Sequence, residues 1–174
     1  VAGHIALAHN GIIENFRPLR EEVESLGRTL LSQTDSEVVA HLLDIAYSAL
    51  REANPAGDPA LQLREAMAQV PPRLEGTYAL LAITADAPGT IVAARRSSPL
   101  VLGVGEGENF VGSDVAAFVA FTKQAVEVDD DQIVLITAAG IEITDAAGQV
   151  VTEPHGWEVT WDASAAVKGG YDTF

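Results

Sequence analysis

From Gly76 onward the sequence breaks into short β-rich runs, Gly76 to Ala85, Thr90 to Arg95 and Leu100 to Val104, separated by turn signals at Asp86-Ala-Pro-Gly89 and Ser98-Pro99. The same rhythm continues to about residue 152. Gly103-Val-Gly-Glu-Gly-Glu-Asn109 reads as a hairpin that returns through Phe110-Val-Gly-Ser-Asp114, and further strands fall at 125–128, 132–137, 141–144 and 150–152. Val115 to Thr122 supplies one or two helical turns between them. This succession constrains the fold more than any other feature. Mostly antiparallel strands, with helices inserted ahead of them, argue for α+β rather than a doubly wound parallel sheet.

The helices lie in the first half. His4 to Asn10 (H-I-A-L-A-H-N) reads as a short buried strand closed by Gly11. Asn15 caps a helix that puts Leu19, Val23 and Leu26 on one face and stops at Gly27. Arg28 to Ser32 fits a short strand. Thr34-Asp-Ser-Glu37 is a capping-box pattern opening a long helix through Val38, Leu42, Ile45 and Ala49 to about Ala53. Asp58 caps a second long helix, with Pro59 at its first position, which runs to about Val70 before Pro71-Pro72. No internal repeat interrupts the chain. One domain is expected over residues 1–160, with 161–174 as an extended linker.

Composition narrows the function. The chain has 174 residues, 48% of them apolar and 20% charged, enough for a substantial core and against wholesale disorder. Its net charge of −15 comes from 25 acidic and 10 basic side chains. Such a surface repels phosphate backbones and anionic lipid, so nucleic acid and membrane are poor partners. No apolar run approaches the roughly 18 residues that cross a bilayer, and Val1-Ala-Gly-His-Ile5 has no signal-peptide character. Cytoplasm is the default compartment. There is no cysteine, which removes disulfides, zinc-thiolate sites and any thiol nucleophile.

Most apparent motifs dissolve on inspection. Gly103 to Glu108 lacks the last glycine of a nucleotide-binding loop and opens no helix; its glutamates would repel a pyrophosphate. His4, His9, His41 and His155 show no metal-ligand spacing, so structural or surface roles are expected and no cofactor is called for. Asp129-Asp-Asp131 lacks the alternation of a calcium loop and reads as a solvated turn.

Two candidates remain. In His9-Asn-Gly-Ile-Ile-Glu-Asn15, Asn10 and Gly11 sit where an apolar strand ends. They make an ordinary strand-to-helix turn, with Gly11 supplying a positive φ. Equally, the Asn10 carboxamide and the Gly11 N–H form a donor pair able to stabilise the oxyanion of a tetrahedral intermediate. Asp35, in the first turn of a helix, either serves the helix dipole or holds a ligand's ammonium group.

Five segments in order and spacing then carry a resemblance: His9 to Asn15, Thr34-Asp-Ser-Glu37, Ala94-Arg-Arg-Ser-Ser-Pro-Leu100, Gly107-Glu-Asn-Phe-Val-Gly-Ser-Asp114 and Lys168-Gly-Gly-Tyr171. Over essentially the whole chain the sequence resembles the glutaminase domain of class II glutamine amidotransferases, of the glucosamine-6-phosphate synthase type. Other members, such as amidophosphoribosyltransferase, asparagine synthetase and glutamate synthase, share the Asn-Gly element. The resemblance implies the N-terminal-nucleophile hydrolase sandwich, two antiparallel sheets between helical layers, here without its first strands. It also implies glutamine as substrate, a sugar isomerase domain in the parent chain making glucosamine 6-phosphate from fructose 6-phosphate, no redox cofactor or metal, and room for a homodimer. Carried over by position, Asn10 and Gly11 match the oxyanion hole, Gly11 also contacts substrate, and Asp35 matches the ligand of the glutamine α-ammonium.

The departures are equally definite. The family's amino-terminal cysteine is missing, and so is the upstream Thr-Arg-Trp-containing motif whose arginine grips the substrate carboxylate. Val1 offers no nucleophilic atom, and Arg95 and Arg96 stand in a different motif. The expectation is a piece of a longer enzyme, inactive alone, in which Ile5 to His9, central in the parent sheet, is left with an uncovered edge or core surface. The rival expectations are a segment of another class II amidotransferase, and a nucleophile-free binding or assembly scaffold.

Overall fold

The structure, a computed structural model, describes residues 2–161. Strand β1 (Ile5–Ile13) comes first, followed by helices α1 (Phe16–Ser25), α2 (Asp35–Ala53) and α3 (Pro59–Gln69). Then come β2 (Gly76–Thr84), β3 (Ile91–Arg96), β4 (Val101–Val104), β5 (Asn109–Gly112), β6 (Gln124–Glu127), β7 (Ile133–Thr137), β8 (Gly140–Thr144) and β9 (Gly156–Glu158). One sheet has the order β1-β2-β3-β7-β8, the other β5-β4-β6-β9. Every paired neighbour in both is antiparallel.

The two-residue alternation of a strand divides the apolar residues between two layers. On one face of the larger sheet, Leu80, Ala82, Val92 and Ala94 pack beneath Val38, Leu42, Leu43 and Tyr47 of α2 and Leu63, Ala66 and Met67 of α3. On its other face, Ala79, Ala93, Val134 and Ile136 meet Leu102 and Val126 of the second sheet. Each of the larger buried side chains contributes roughly 1.5–3 kcal/mol relative to an exposed one. Beyond the second sheet the helical layer is slight. Val101 and Ala125 are covered by Phe118 and Val119, just after the 3-10 turn Val115–Ala117. The α+β class and the two antiparallel sheets are as expected.

Several local expectations need correction. Arg28 to Ser32 is not a strand: no other strand flanks it, and Leu31 is 90% exposed. Side chains hold it instead. Glu37 accepts the Leu31 and Ser32 N–H groups at 2.7 and 2.6 Å, and Arg20 donates to the Ser32 carbonyl. The capping box is therefore half made. Thr34 Oγ1 accepts the Glu37 N–H, while the Glu37 carboxylate goes to the preceding loop. Asn15 stands at the start of α1 without capping it; its amide spans to the Arg73 carbonyl and the Glu75 N–H. Leu26 follows the end of α1 and is exposed. At residues 150–152 there is only a single bridge, Thr144 to Val150, and the last strand of the second sheet is β9. The expected linker, Trp161 apart, and Lys168-Gly-Gly-Tyr171 lie outside the described residues.

Candidate functional site

β1 pairs with β2 over nine consecutive residues, from Ile5 opposite Thr84 to Ile13 opposite Gly76. Gly11 is thus inside the strand and not at its end, and the turn comes at Glu14 and Asn15. Its φ is +133°, and a Cβ there would sit 2.1 Å from the Thr77 carbonyl oxygen and 2.8 Å from the Tyr78 Cα. The positive φ was legible in the sequence; the ladder that demands it was not. A residue with a Cβ does not tolerate both that torsion and that closeness to β2.

β1 is one edge of its sheet, and the direction of its amides follows from the two ends. The Ile5 N–H donates to the Ala2 carbonyl and the Ile13 N–H to Asp35 Oδ2, both away from β2. In an antiparallel pair the amides alternate between partner and outside, so the Gly11 N–H also faces the open edge. Side chains alternate as well: Ile5, Leu7 and Ile13 join the helix-facing core, and His9 points the same way. Asn10 faces the other sheet. Its side chain lines a groove of about 290 Å³ with Ala8, Ala79, Leu81, Pro99, Leu100, Gly112 and Ser113. The Asn10 carboxamide has no hydrogen-bond partner among the described residues, which leaves its donors free for a ligand.

Asp35 is the first residue of α2. One carboxylate oxygen accepts the Ile13 N–H at 2.8 Å and the other accepts its neighbour's, Ser36 N–H, at 2.7 Å. The side chain is 22% exposed. Two residues along a strand span roughly 7 Å, so the Gly11 N–H and the Asp35 carboxylate stand about that far apart on the same edge. The Gly11 N–H and the Asp35 carboxylate thus share the open edge, while the Asn10 side chain lies in the groove toward the second sheet.

Two residues of this corner carried no separate sequence signal strong enough to single them out. His9 Nδ1 lies 2.9 Å from Ser36 Oγ and 3.7 Å from Asp35 Oδ1. Burial pushes the imidazole below its ordinary pKa, and the Asp35 charge partly opposes this. Ser36 is a common helix first-turn residue and draws no notice. The alternation of β1 was the available clue, since it puts His9 and Gly11 on the same side of the strand.

Elsewhere the acidic run is more than a solvated turn. Asp130 accepts from Arg95 at 2.9 Å and from the Ser97 N–H at 2.7 Å, and Asp131 accepts from Arg96 at 2.8 Å. The Ser97 N–H bond, then Arg95, hold Asp130 below the usual carboxylate range. Both arginines bond to this run, Arg96 also to the Leu74 carbonyl. Among the described residues no group of three or more His, Cys, Asp or Glu is placed to hold a metal, and no helix is long and apolar enough to cross a membrane.

Comparison with known proteins agrees with this fold. The glutamine amidotransferase domain family matches residues 1–120. The chain is 51% identical to the glutamine–fructose-6-phosphate aminotransferase (isomerizing) of Mycolicibacterium smegmatis, over 99% of its own length and 27% of that protein's. It is 52% identical to the protein of the same name from Corynebacterium diphtheriae, over 99% and 26%. It spans about a quarter of the length of these curated relatives. Among solved structures it is similar to the glutamine phosphoribosylpyrophosphate amidotransferase of B. subtilis, with a TM-score of 0.60 and 25% identity, covering 84% of this chain and 30% of that one. The two packed antiparallel sheets are the N-terminal-nucleophile hydrolase architecture of such amidotransferases. The chain belongs to the glutamine amidotransferase domain family.

Proposed function

We propose that this chain supplies the substrate-binding and oxyanion-stabilising part of a glutaminase domain. The parent enzyme would pass the ammonia released from glutamine to fructose 6-phosphate, through a sugar isomerase domain, to make glucosamine 6-phosphate. What supports the reading is the open edge of β1, shared by the Gly11 N–H and the Asp35 carboxylate, with the Asn10 carboxamide, unbonded among the described residues, in the adjoining groove.

The chemistry divides by residue. The α-ammonium of glutamine pairs with Asp35, whose charge is only part-buried and whose oxygens keep lone pairs beyond the two amides they accept. About 7 Å along the edge, the side-chain carboxamide meets the Gly11 N–H and Asn10, a separation that extended glutamine spans. When a nucleophile adds to that carbon, negative charge grows on the oxygen, and two preoriented donors stabilise it without reorganising. The nucleophile is not among these residues, because the chain contains no cysteine. An attacking thiol must come from sequence beyond this segment. The glucosamine-6-phosphate assignment rests on the names and roughly 50% identity of the relatives.

The test uses the full-length gene product. Glutamate release from glutamine should accompany glucosamine 6-phosphate formation from fructose 6-phosphate, while the 174-residue chain alone releases none above background. Asn10→Ala should lower kcat by about 10²–10³ with little change in KM, as loss of one oxyanion donor does. Turnover by the isolated chain, or a full-length product without a thiol, refutes this reading. Activity only with phosphoribosylpyrophosphate as acceptor would move it to another amidotransferase.

A further inference from the structure

The histidine before the donor pair is turned inward. His9 lies in an edge strand between two exposed residues, Ala8 and Asn10, yet its side chain is only 2% exposed. Nε2 is buried and has no hydrogen-bond partner among the described residues. A leucine or phenylalanine would fill the space without leaving a polar atom unpaired, so packing alone does not account for an imidazole there. What the ring provides is Nδ1, hydrogen-bonded to Ser36 Oγ at 2.9 Å and facing Asp35 Oδ1 at 3.7 Å. The Ser36 N–H donates to that same Oδ1, and the Ser36 hydroxyl lies 3.4 Å from it.

We propose that His9 is a positioning residue for ammonium recognition: through Nδ1 and Ser36 it fixes the Oδ1 side of the Asp35 carboxylate, as the Ile13 amide fixes the Oδ2 side. The inference rests on the reading of Asp35 as the glutamine α-ammonium ligand. With both oxygens anchored, the carboxylate cannot swing, and its free lone pairs stay aimed at the open edge. The ring must also be uncharged. A cationic imidazole 3.7 Å away would satisfy Asp35 internally and compete with the incoming ammonium. Burial favours the neutral ring, by holding the imidazole below its ordinary pKa against the opposing pull of Asp35.

Steady-state glutaminase kinetics of the full-length product, with a thermal melt for each variant, separate the possibilities. His9→Leu should raise the KM for glutamine by about tenfold, the worth of one hydrogen bond to a charged group, while kcat changes by less than about twofold. His9→Asn, which returns a hydrogen-bonding atom near the Nδ1 position, should recover most of the loss. Ser36→Ala at unchanged melting temperature should also raise KM, and it should add little to His9→Leu. Asp35→Asn reports on the underlying reading: if it leaves KM unchanged, that reading fails. If Asp35→Asn raises KM and Ser36→Ala does not, the inference about His9 is overturned, and so it is if His9→Asn binds no better than His9→Leu. Should His9→Leu fail to fold, Ser36→Ala, read against Asp35→Asn, still decides.

Discussion

Replacing Gly11 by alanine tests the placement of the donor pair inside a paired strand. The new Cβ would stand 2.1 Å from the Thr77 carbonyl oxygen, where ordinary contact begins at 3.4 Å. Relieving the overlap shifts β1 from β2 by about 1 Å, enough to weaken the flanking ladder bonds at about 1 kcal/mol each. The φ of +133° adds roughly 1–3 kcal/mol for any residue with a Cβ. With two such bonds the sum is about 3–5 kcal/mol, or a fall in melting temperature of roughly 6–20 °C for a chain of this length. Gly89→Ala is the control, because its φ is also positive, +77°, but nothing lies within 4 Å of the added Cβ. It should lose only about 1–2 kcal/mol. Urea denaturation of the two variants, side by side, gives both free energies. Equal losses would show that Thr77 does not confine Gly11, and the argued aim of the Gly11 amide would fall with it.

Other outcomes follow from named contacts. Asp44 is 1% exposed and held by Arg28 at 2.8 Å and by the His4 N–H at 2.8 Å, so Arg28→Ala should cost about 3 kcal/mol in chemical denaturation by stranding a buried charge. Glu37 is held down from an ordinary 4.5 to about 2, chiefly by the Leu31 N–H and then by the Ser32 hydroxyl. The folded state thus favours its ionised form. That stability is complete above about pH 4.5 and is lost as pH falls toward 2. Glu37→Gln should accordingly be less stable than the unmutated chain at pH 6, the two converging near pH 2; a gap that does not shrink with acid contradicts the assigned bonds. Arg95→Ala should destabilise the Ser97 turn, read as faster amide exchange at Ser97, because Asp130 then loses its guanidinium while still accepting that N–H.

The helices were legible because their signals are local. Asp58 and Pro59 open α3 where expected, with Asp58 accepting the Ala60 N–H, and Thr34 and Asp35 open α2. The failures share a cause: each depends on a partner distant in sequence. Glu37 has two acceptor oxygens and satisfies the loop before it in preference to the Thr34 amide, which Ser32 Oγ supplies. Arg28 to Ser32 carries strand-forming residues but finds no strand to pair with. Gly11 looks like a terminator until β2 is laid beside it, and the Asp129-Asp-Asp131 run looks solvated until Arg95 and Arg96 are brought across from β3. The candidate site followed the same rule. Asn10, Gly11 and Asp35 were found through residue pattern and resemblance, whereas the imidazole that joins Asp35 to β1 required coordinates.

The Asp35 carboxylate has a further consequence, because the oxygens that would greet an ammonium also pin the start of α2 to the tail of β1. On the proposed reading, recognition and architecture would draw on one group there. An occupied site would therefore resist unfolding more than an empty one, by an amount that grows with the logarithm of ligand concentration, and amide exchange at Ile13 and Ser36 would slow first. The converse holds for mutation. On that reading, exchanging this aspartate would loosen a joint as well as a grip, so losses of affinity at 35 would mix two causes, while the Asn10 carboxamide, which bonds to nothing among the described residues, would report on chemistry more cleanly.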